Sequence, residues 1–309
     1  CWVLWAMNWA TSAMLRTSST TVGDLVRSIR GSKLPSDTPL LDCQLLLSEC
    51  LQRSKSWLLA HDEYCLTDEE AQAYTSLLAR RIAGEPIAYI LGSQGFWDME
   101  LMVTPDTLIP RPETELLVET VLATCGSAYQ RVVDLGTGTG AIAIAIQRER
   151  PNWEVWATDF SSAALTVAEK NAIEWSAGKI QFLQSHWLSK FGPEEFDLII
   201  SNPPYIQHND NHLQALQYEP MSALTAADTG MADLKTIIRQ STRCLKPGGR
   251  LLLEHGYDQQ AQVTELLEKE GYTEIVLLAD YNHIPRAVLT RWAPDRCQQA
   301  QEGSKMENE

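Results

Sequence analysis

Positive charge is what this chain has least of: 25 Lys+Arg stand against 40 Asp+Glu, a net charge of −15 with a pI near 4.9. Such a surface is a poor electrostatic match to a polyanion, so stable nucleic-acid binding is not expected outside a local basic patch. Paired cysteines are lacking too. The seven, Cys1, Cys43, Cys50, Cys65, Cys125, Cys244 and Cys297, are odd in number, scattered, and never form a C-x-x-C pair. That pattern excludes a disulfide framework and reads as reduced thiols in a cytoplasmic protein. Cys43 and Cys50, seven apart, read as one packed helix face rather than a metal or redox pair. No apolar run approaches the length of a membrane span, and no internal repeat or low-complexity tract is present.

The chain opens without Met and without the basic residues that precede the apolar core of a signal peptide. Residues 1–16 are expected to be leader or upstream sequence without ordered structure, with Met14 as the start. Arg16 to Thr21 suits an organellar presequence, but Asp24 does not.

With 309 residues, 44% of them hydrophobic, two domains are expected. Residues 17–91 read as a helical domain: Val22, Leu25, Val26 and Ile29 share one face, a Leu-rich helix follows Pro39, and Thr67 with Glu70 forms a capping box. Residues 92–108, with short apolar runs on either side of Asp98-Met99, are expected to be a β-hairpin linker. Residues 109–293 alternate strand and helix signals, from Val132-Val133-Asp134 to Gly249-Arg250-Leu251-Leu252-Leu253. Such alternation predicts an α/β, doubly wound, Rossmann-like parallel sheet. Glu274 to Leu278 and Ala287 to Leu289 would add an antiparallel hairpin, and residues 294–309 are expected to be a disordered tail.

Two stretches carry chemistry. Asn202-Pro203-Pro204-Tyr205 follows the apolar run Leu198-Ile199-Ile200 and so sits at the mouth of a buried strand. The prolines make a rigid extended corner, in which the side-chain oxygen of Asn202 and the carbonyl of Pro203 can accept from one planar NH2 group while Tyr205 forms a flat wall. These four are the candidate substrate-binding residues, with Asn202, Pro203 and Tyr205 the catalytic ones. The second stretch, Asp134-Leu135-Gly136-Thr137-Gly138-Thr139-Gly140-Ala141, joins a strand to a helix and lets backbone approach a nucleotide-like cofactor.

Gly136, Gly138 and Ala141 also satisfy the dinucleotide fingerprint, with Asp159 placed to hold ribose hydroxyls, so a NAD-dependent dehydrogenase is an alternative. Against it, Asp134 just ahead of the glycines suits the cationic amino acid portion of S-adenosylmethionine better than a pyrophosphate, and nothing downstream resembles a hydride-transfer site. The i, i+4 pair His208 and His212 has metal-ligand spacing but no third ligand, so no metal is expected. On spacing alone, Arg111 and Glu113 read as surface charges at a helix start.

From about Val22 to Trp292 the chain resembles the HemK/PrmC family of protein-(glutamine-N5) methyltransferases, which act on peptide chain release factors. The resemblance is carried by Ile109 to Glu115, Asp134 to Gly140, Asn202 to Tyr205, Glu219-Pro220, Ala226 to Met231, and Leu253-Glu254-His255-Gly256. It implies an S-adenosylmethionine site lined by Gly136, Thr137, Gly138, Thr139, Gly140, Asp159, Trp187 and Asn202. It also implies a substrate glutamine, from the Gly-Gly-Gln motif of class I release factors, held by Asn202 to Tyr205. One position departs from the pattern: similar proteins often carry an acidic residue just before the aromatic at Trp187, and here stands His186. Asn-Pro-Pro-Tyr also occurs in enzymes that methylate adenine N6 or guanine N2, which keeps a nucleic-acid substrate as an alternative. A non-catalytic scaffold that has kept the pocket is a third, opposed by the intact Asn202 to Tyr205.

Overall fold

The structure is a computed structural model that describes residues 20–29 and 34–294. The expected leader and tail lie outside the described residues, apart from Pro294. By contacts the chain divides between Gly92 and Ser93 into two compact units.

The first unit is helical: α1 (Val22–Ile29), α2 (Pro39–Leu51), α3 (Lys55–Ala60), α4 (Asp68–Ile82) and α5 (Ile87–Leu91). Val22, Leu25 and Ile29 of α1 pack with Cys43, Leu46 and Leu47 of α2 and with Tyr74 and Leu78 of α4. Both ends of α4 are closed as their residues dictate. The Thr67 hydroxyl accepts from Glu70 N while the Glu70 carboxylate accepts from Thr67 N. At the other end Gly84, at φ +98°, lets its own N–H reach Arg81 O and that of Glu85 reach Arg80 O, a Schellman closure. Cys43 is fully buried against the Tyr74 hydroxyl, as packing rather than redox chemistry demands.

The second unit is built on a seven-stranded sheet in the order β10-β11-β9-β6-β3-β4-β5. Its strands are β3 (Arg131–Leu135), β4 (Glu154–Asp159), β5 (Gln181–Gln184), β6 (Phe196–Ser201), β9 (Leu245–Glu254), β10 (Tyr272–Ala279) and β11 (Pro285–Trp292). All neighbours are parallel except β11, which runs antiparallel to both β9 and β10. The doubly wound expectation is met. Two apolar cores, one around Val132, Ile144 and Leu198 and the other around Val133, Ile199 and Leu251, are built from alternate residues of the same strands. Helices α6 (Glu115–Thr124), α7 (Ala141–Glu149) and α8 (Ser162–Glu174) contribute to the first core, and α10 (Ala232–Cys244) and α11 (Gln260–Lys269) to the second. The short α9 (Met221–Leu224) leads into β8 (Thr225–Ala226), which pairs with β7 (Ile206–Gln207).

The hairpin of β1 (Ser93–Phe96) and β2 (Met99–Met102) belongs to the second unit instead of acting as a linker. Phe96, Met99 and Leu101 are buried in the first core. Asn171 of α8, itself buried, holds the hairpin: its Oδ1 accepts from Met102 N at 2.8 Å, and its Nδ2 donates to Met102 O at 3.0 Å and Thr139 O at 2.9 Å. Replacement by Ala would leave three backbone groups without these partners. Asn171→Ala is expected to cost roughly 2–4 kcal/mol in urea unfolding, and a loss below about 0.5 kcal/mol would show that the side chain does not anchor the hairpin.

Candidate active site

Since β3 pairs with β6 on one side and β4 on the other, the chain reverses its order of strand addition between β3 and β6, and a crevice opens at their carboxyl ends. Leu135 sits opposite Ser201 in that pairing, and the Ser201 hydroxyl donates to Leu135 O at 2.7 Å. The glycine loop and Asn202, one residue further along each strand, are thereby set side by side.

A cleft of about 470 Å³ lies there, lined by Gly136, Gly138, Asp159, Trp187 and Asn202 among others. Thr137, Thr139 and Gly140, expected beside them, are not part of its wall. Thr137 is turned under the loop, where its hydroxyl donates to Asp134 Oδ2 at 2.6 Å; the Thr139 carbonyl accepts from Asn171; Gly140 opens α7 against Ala168. Gly136, at φ +71°, is where a side chain would strike the Trp187 ring, at 3.2 Å from an ideal Cβ.

Asp134 does not face the cleft as a counter-charge. It is fully buried beneath the loop, and burial pushes its carboxyl up to about 7, against the pull of the Thr137 hydroxyl and the Ala143 amide. Its Oδ1 makes no hydrogen bond of normal geometry. Asp159 does face the cleft. Its Oδ2 accepts from Gly138 N at 3.0 Å and its Oδ1 from Ser161 N at 2.8 Å, which fixes the carboxylate while burial raises its pKa against those amides.

At the far wall stand His186, exposed, and Trp187, whose indole Nε1 donates to Asp233 Oδ1 at 3.1 Å. The Phe160 ring meets His186 edge to face at 6.2 Å between centroids. Asp233, in the first turn of α10, lines the same cleft, and burial raises its pKa. The carboxylate that position 186 lacks is thus present beside Trp187 from another element, and no local pattern at residue 186 announces it.

A smaller pocket of about 90 Å³ adjoins, and Asn202, Pro204, Leu108 and Ala223 line both. Pro203, Tyr205 and Arg111 complete its walls with a few aliphatic side chains. Arg111 is not a loose surface charge: it pairs with the buried Glu219, whose other oxygen accepts from Ile109 N at 3.1 Å. Ile109 to Glu115 and Glu219-Pro220, distant in sequence, are one construction. Tyr205 is braced through its backbone, for its carbonyl accepts from Gln259 Nε2 at 3.0 Å. Gly230 is required by the same contact: at φ +83°, an added Cβ would come within 2.1 Å of Tyr205 O.

Behind the pocket lies Glu254, at the end of β9 and buried. Its Oε2 accepts from the Thr114 hydroxyl at 2.8 Å and its Oε1 from the Tyr205 hydroxyl at 3.2 Å. The Thr114 hydroxyl, its hydrogen committed to Glu254, accepts from Asn202 Nδ2 at 3.0 Å. Burial pushes Glu254 up to about 7, opposed by Thr114, Tyr205 and Arg286. Burial and the Glu254 charge raise the Tyr205 phenol in turn.

His208 is occupied with Ala226 O at 3.2 Å, the side chain of His212 lies outside the described residues, and no group of three or more metal-binding side chains occurs among those described.

The buried Asp134 has a consequence for folding. It keeps its proton in the folded protein at a pH where the unfolded chain, near its ordinary 3.8, has lost it. Its stabilising contribution is therefore fully present below about pH 4 and is lost as pH rises through about 7. Asp134→Asn should flatten the fall in stability between about pH 4 and pH 8 by up to roughly 4 kcal/mol, read by urea unfolding. An unchanged slope would show that Asp134 is not held neutral.

Comparison with known proteins agrees with this construction. The Methyltransferase small domain matches residues 112–226 and the PrmC N-terminal domain residues 31–92. Among solved structures, a methyltransferase from Pyrococcus furiosus aligns with a TM-score of 0.50 at 16% identity, covering 71% of this chain and 99% of that one, which is a likeness of fold. The release factor glutamine methyltransferase of Escherichia coli (strain K12) is 44% identical over 259 residues, 83% of this chain and 94% of that protein. That of Coxiella burnetii is 44% identical over 257 residues, 83% of this chain and 93% of that protein, and that of Pseudomonas aeruginosa 44% over 268 residues, 86% and 97%. At that identity over nearly the whole length of such relatives, the chain belongs to the release factor glutamine methyltransferase family.

Proposed function

We propose that this protein transfers a methyl group from S-adenosylmethionine to the side-chain amide nitrogen of the glutamine in the Gly-Gly-Gln motif of class I peptide chain release factors. The observation that carries it is the meeting of the two pockets at Asn202, whose Nδ2 is already committed to Thr114. Its Oδ1 is left to accept a hydrogen bond from a ligand in the pocket.

The larger cleft fits S-adenosylmethionine by the chemistry of its walls. Asp159, its orientation fixed by two amides, serves the ribose hydroxyls, and Trp187 offers a flat face to the adenine. Asp233 supplies the carboxylate toward the base that position 186 does not. When bound, S-adenosylmethionine supplies an electrophilic methyl on a sulfonium that departs as a neutral thioether. An amide nitrogen is a weak nucleophile, its lone pair delocalised into the carbonyl, so the protein works by placement. Asn202 Oδ1 and the Pro203 carbonyl accept from the glutamine NH2, aim the nitrogen at the methyl, and favour the positive charge developing there; Tyr205 stacks on the amide plane. Alignment of this kind is worth up to about 7–11 kcal/mol. The methylated, positively charged nitrogen is acidic enough to lose its proton to water, so no dedicated base is required.

An acidic chain gains little from phosphate contacts, which favours a protein substrate over DNA or ribosomal RNA. A release factor also places the reaction in the cytoplasm.

Mass spectrometry of a release factor incubated with the protein and labelled S-adenosylmethionine should find one added methyl on that glutamine, and none once the glutamine is replaced. Label in nucleic acid with the release factor unlabelled would overturn this reading. Asn202→Ala is expected to lower turnover at least ~100-fold with its unfolding midpoint little changed; a near-normal rate would remove Asn202 from its role. By calorimetry, S-adenosylmethionine should bind where NAD does not. Asp159→Ala and Asp233→Ala should each weaken that binding by roughly 1–3 kcal/mol, and His186→Ala by less. Equal losses at 186 and 233 would return the base contact to His186.

A further inference from the structure

Glu254 stands out among the groups of the second unit: a buried carboxylate that lines neither pocket, yet joins Thr114 and Tyr205 and, through Thr114, Asn202. A carboxylate in such a place costs stability, and it earns its place only by doing something that a neutral residue cannot. A terminal carboxamide could reverse, presenting either its oxygen or its NH2 to the pocket, because the two ends have nearly the same shape. What prevents reversal of Asn202 is the direction of the Thr114 hydroxyl. While Glu254 is ionised it can only accept, so Thr114 must donate to it, and the lone pairs of Thr114 then demand the NH2 end of Asn202.

We propose that Glu254 and Thr114 are positioning residues for methyl transfer: the ionised carboxylate, acting through the Thr114 hydroxyl, locks the Asn202 side chain with Oδ1 toward the substrate amide. By the same carboxylate the Tyr205 hydroxyl is held, so two walls of the small pocket answer to one charge. This inference rests on the methyl-transfer reading of the site. A second effect reinforces the first. A chain of hydrogen bonds that ends on a charge polarises each member, so Asn202 Oδ1 becomes a stronger acceptor just where positive charge develops on the substrate nitrogen.

Protonation of Glu254 undoes the lock. A protonated carboxyl can donate to Thr114, whose own hydrogen is then free to turn toward Asn202 and donate to the oxygen of the reversed amide. The groups that bear on this titration are Thr114 and Glu113 from the turn before α6, Tyr205 after β6, and Arg286 on β11; Glu113 raises the Glu254 pKa, while the other three lower it. Burial leads, and carries the carboxyl up to about 7.

The experiment is kcat measured at saturating S-adenosylmethionine and release factor, across about pH 5.5 to 9, for the full chain and for Glu254→Gln, Thr114→Val and Thr114→Ser. The native protein should lose kcat as pH falls through about 7. Glu254→Gln should lower kcat at pH 8 by roughly tenfold or more and lack that limb, with KM for S-adenosylmethionine nearly unchanged. Thr114→Val, equal in shape but without the hydroxyl, should fall by a similar factor, and Thr114→Ser should stay within about threefold of native. If Thr114→Val matches Thr114→Ser in kcat, or Glu254→Gln retains the acid limb and the native rate, the proposal is overturned. Should Glu254→Gln fail to fold, the Val and Ser pair still decides. Failure of the native protein to methylate the release factor at all would refute the functional reading itself, a separate result.

Discussion

The pairing of β3 with β6 decides where the rest of the site goes. Its register sets Leu135 against Ser201, and a side-chain hydrogen bond from Ser201 ties the two strand ends together. The two stretches at the centre of the site leave from these two ends: the glycine turn from one, Asn202 and the prolines from the other. A slip by one residue would turn alternate side chains to the opposite face and exchange the two apolar cores, so burial on both faces enforces the register. Precision at the site is inherited from a core that has no chemistry of its own.

Around that junction the protein buries carboxylates that it could fold more easily without. Burial raises the pKa of Asp134 and of Glu254 to about 7, and neither lines either pocket. Each instead fixes a residue or loop that does: Asp134 ties down Thr137 beneath the glycine turn, and Glu254 orders the hydroxyls behind the prolines. Desolvating such groups costs several kcal/mol, offset only in part by their hydrogen bonds. Stability given up at a site in return for fixed geometry is a common pattern in enzymes.

How much of this was legible depended on how far apart the partners are. The strands around Val132, Val155, Leu198 and Leu251 could be read from apolar runs, and the glycine turn and Asn202 to Tyr205 from their own few residues, because in each case the cause is local. Arg111 could not, since its partner Glu219 is 108 positions away, and the pairing turns an apparent surface charge into a wall of the small pocket. Thr114 and Glu254 are 140 positions apart. A signal for Glu254 was nevertheless present: an acidic residue closing the run Leu251-Leu252-Leu253 must be either exposed or paired, and a strand that apolar is central in the sheet. Nothing comparable marked Asp233 as the carboxylate beside Trp187, because it reaches the cleft from the start of α10. The membership of the hairpin in the second unit was hidden for a related reason: its short strands suggested a spacer, while Phe96, Met99 and Leu101 in the core and the hydrogen bonds of Asn171, 69 positions from Met102, bind it there.

The difficulty of the reaction explains why so many of these remote residues converge on one loop. A nucleophile as weak as an amide cannot be activated by removing a proton at accessible pH, so the enzyme must supply acceptors whose direction does not waver. Prolines alone stiffen the backbone but leave a side chain free to rotate and a carboxamide free to reverse. The loop therefore needs supports that come from elsewhere in the fold. Gln259 and the space left by Gly230 set the Tyr205 carbonyl, while Thr114 and Glu254 set Asn202. Three stretches of chain, at Thr114, Gly230 and Glu254 to Gln259, meet behind Asn202 to Tyr205 because orientation, rather than acid–base strength, is what this chemistry demands.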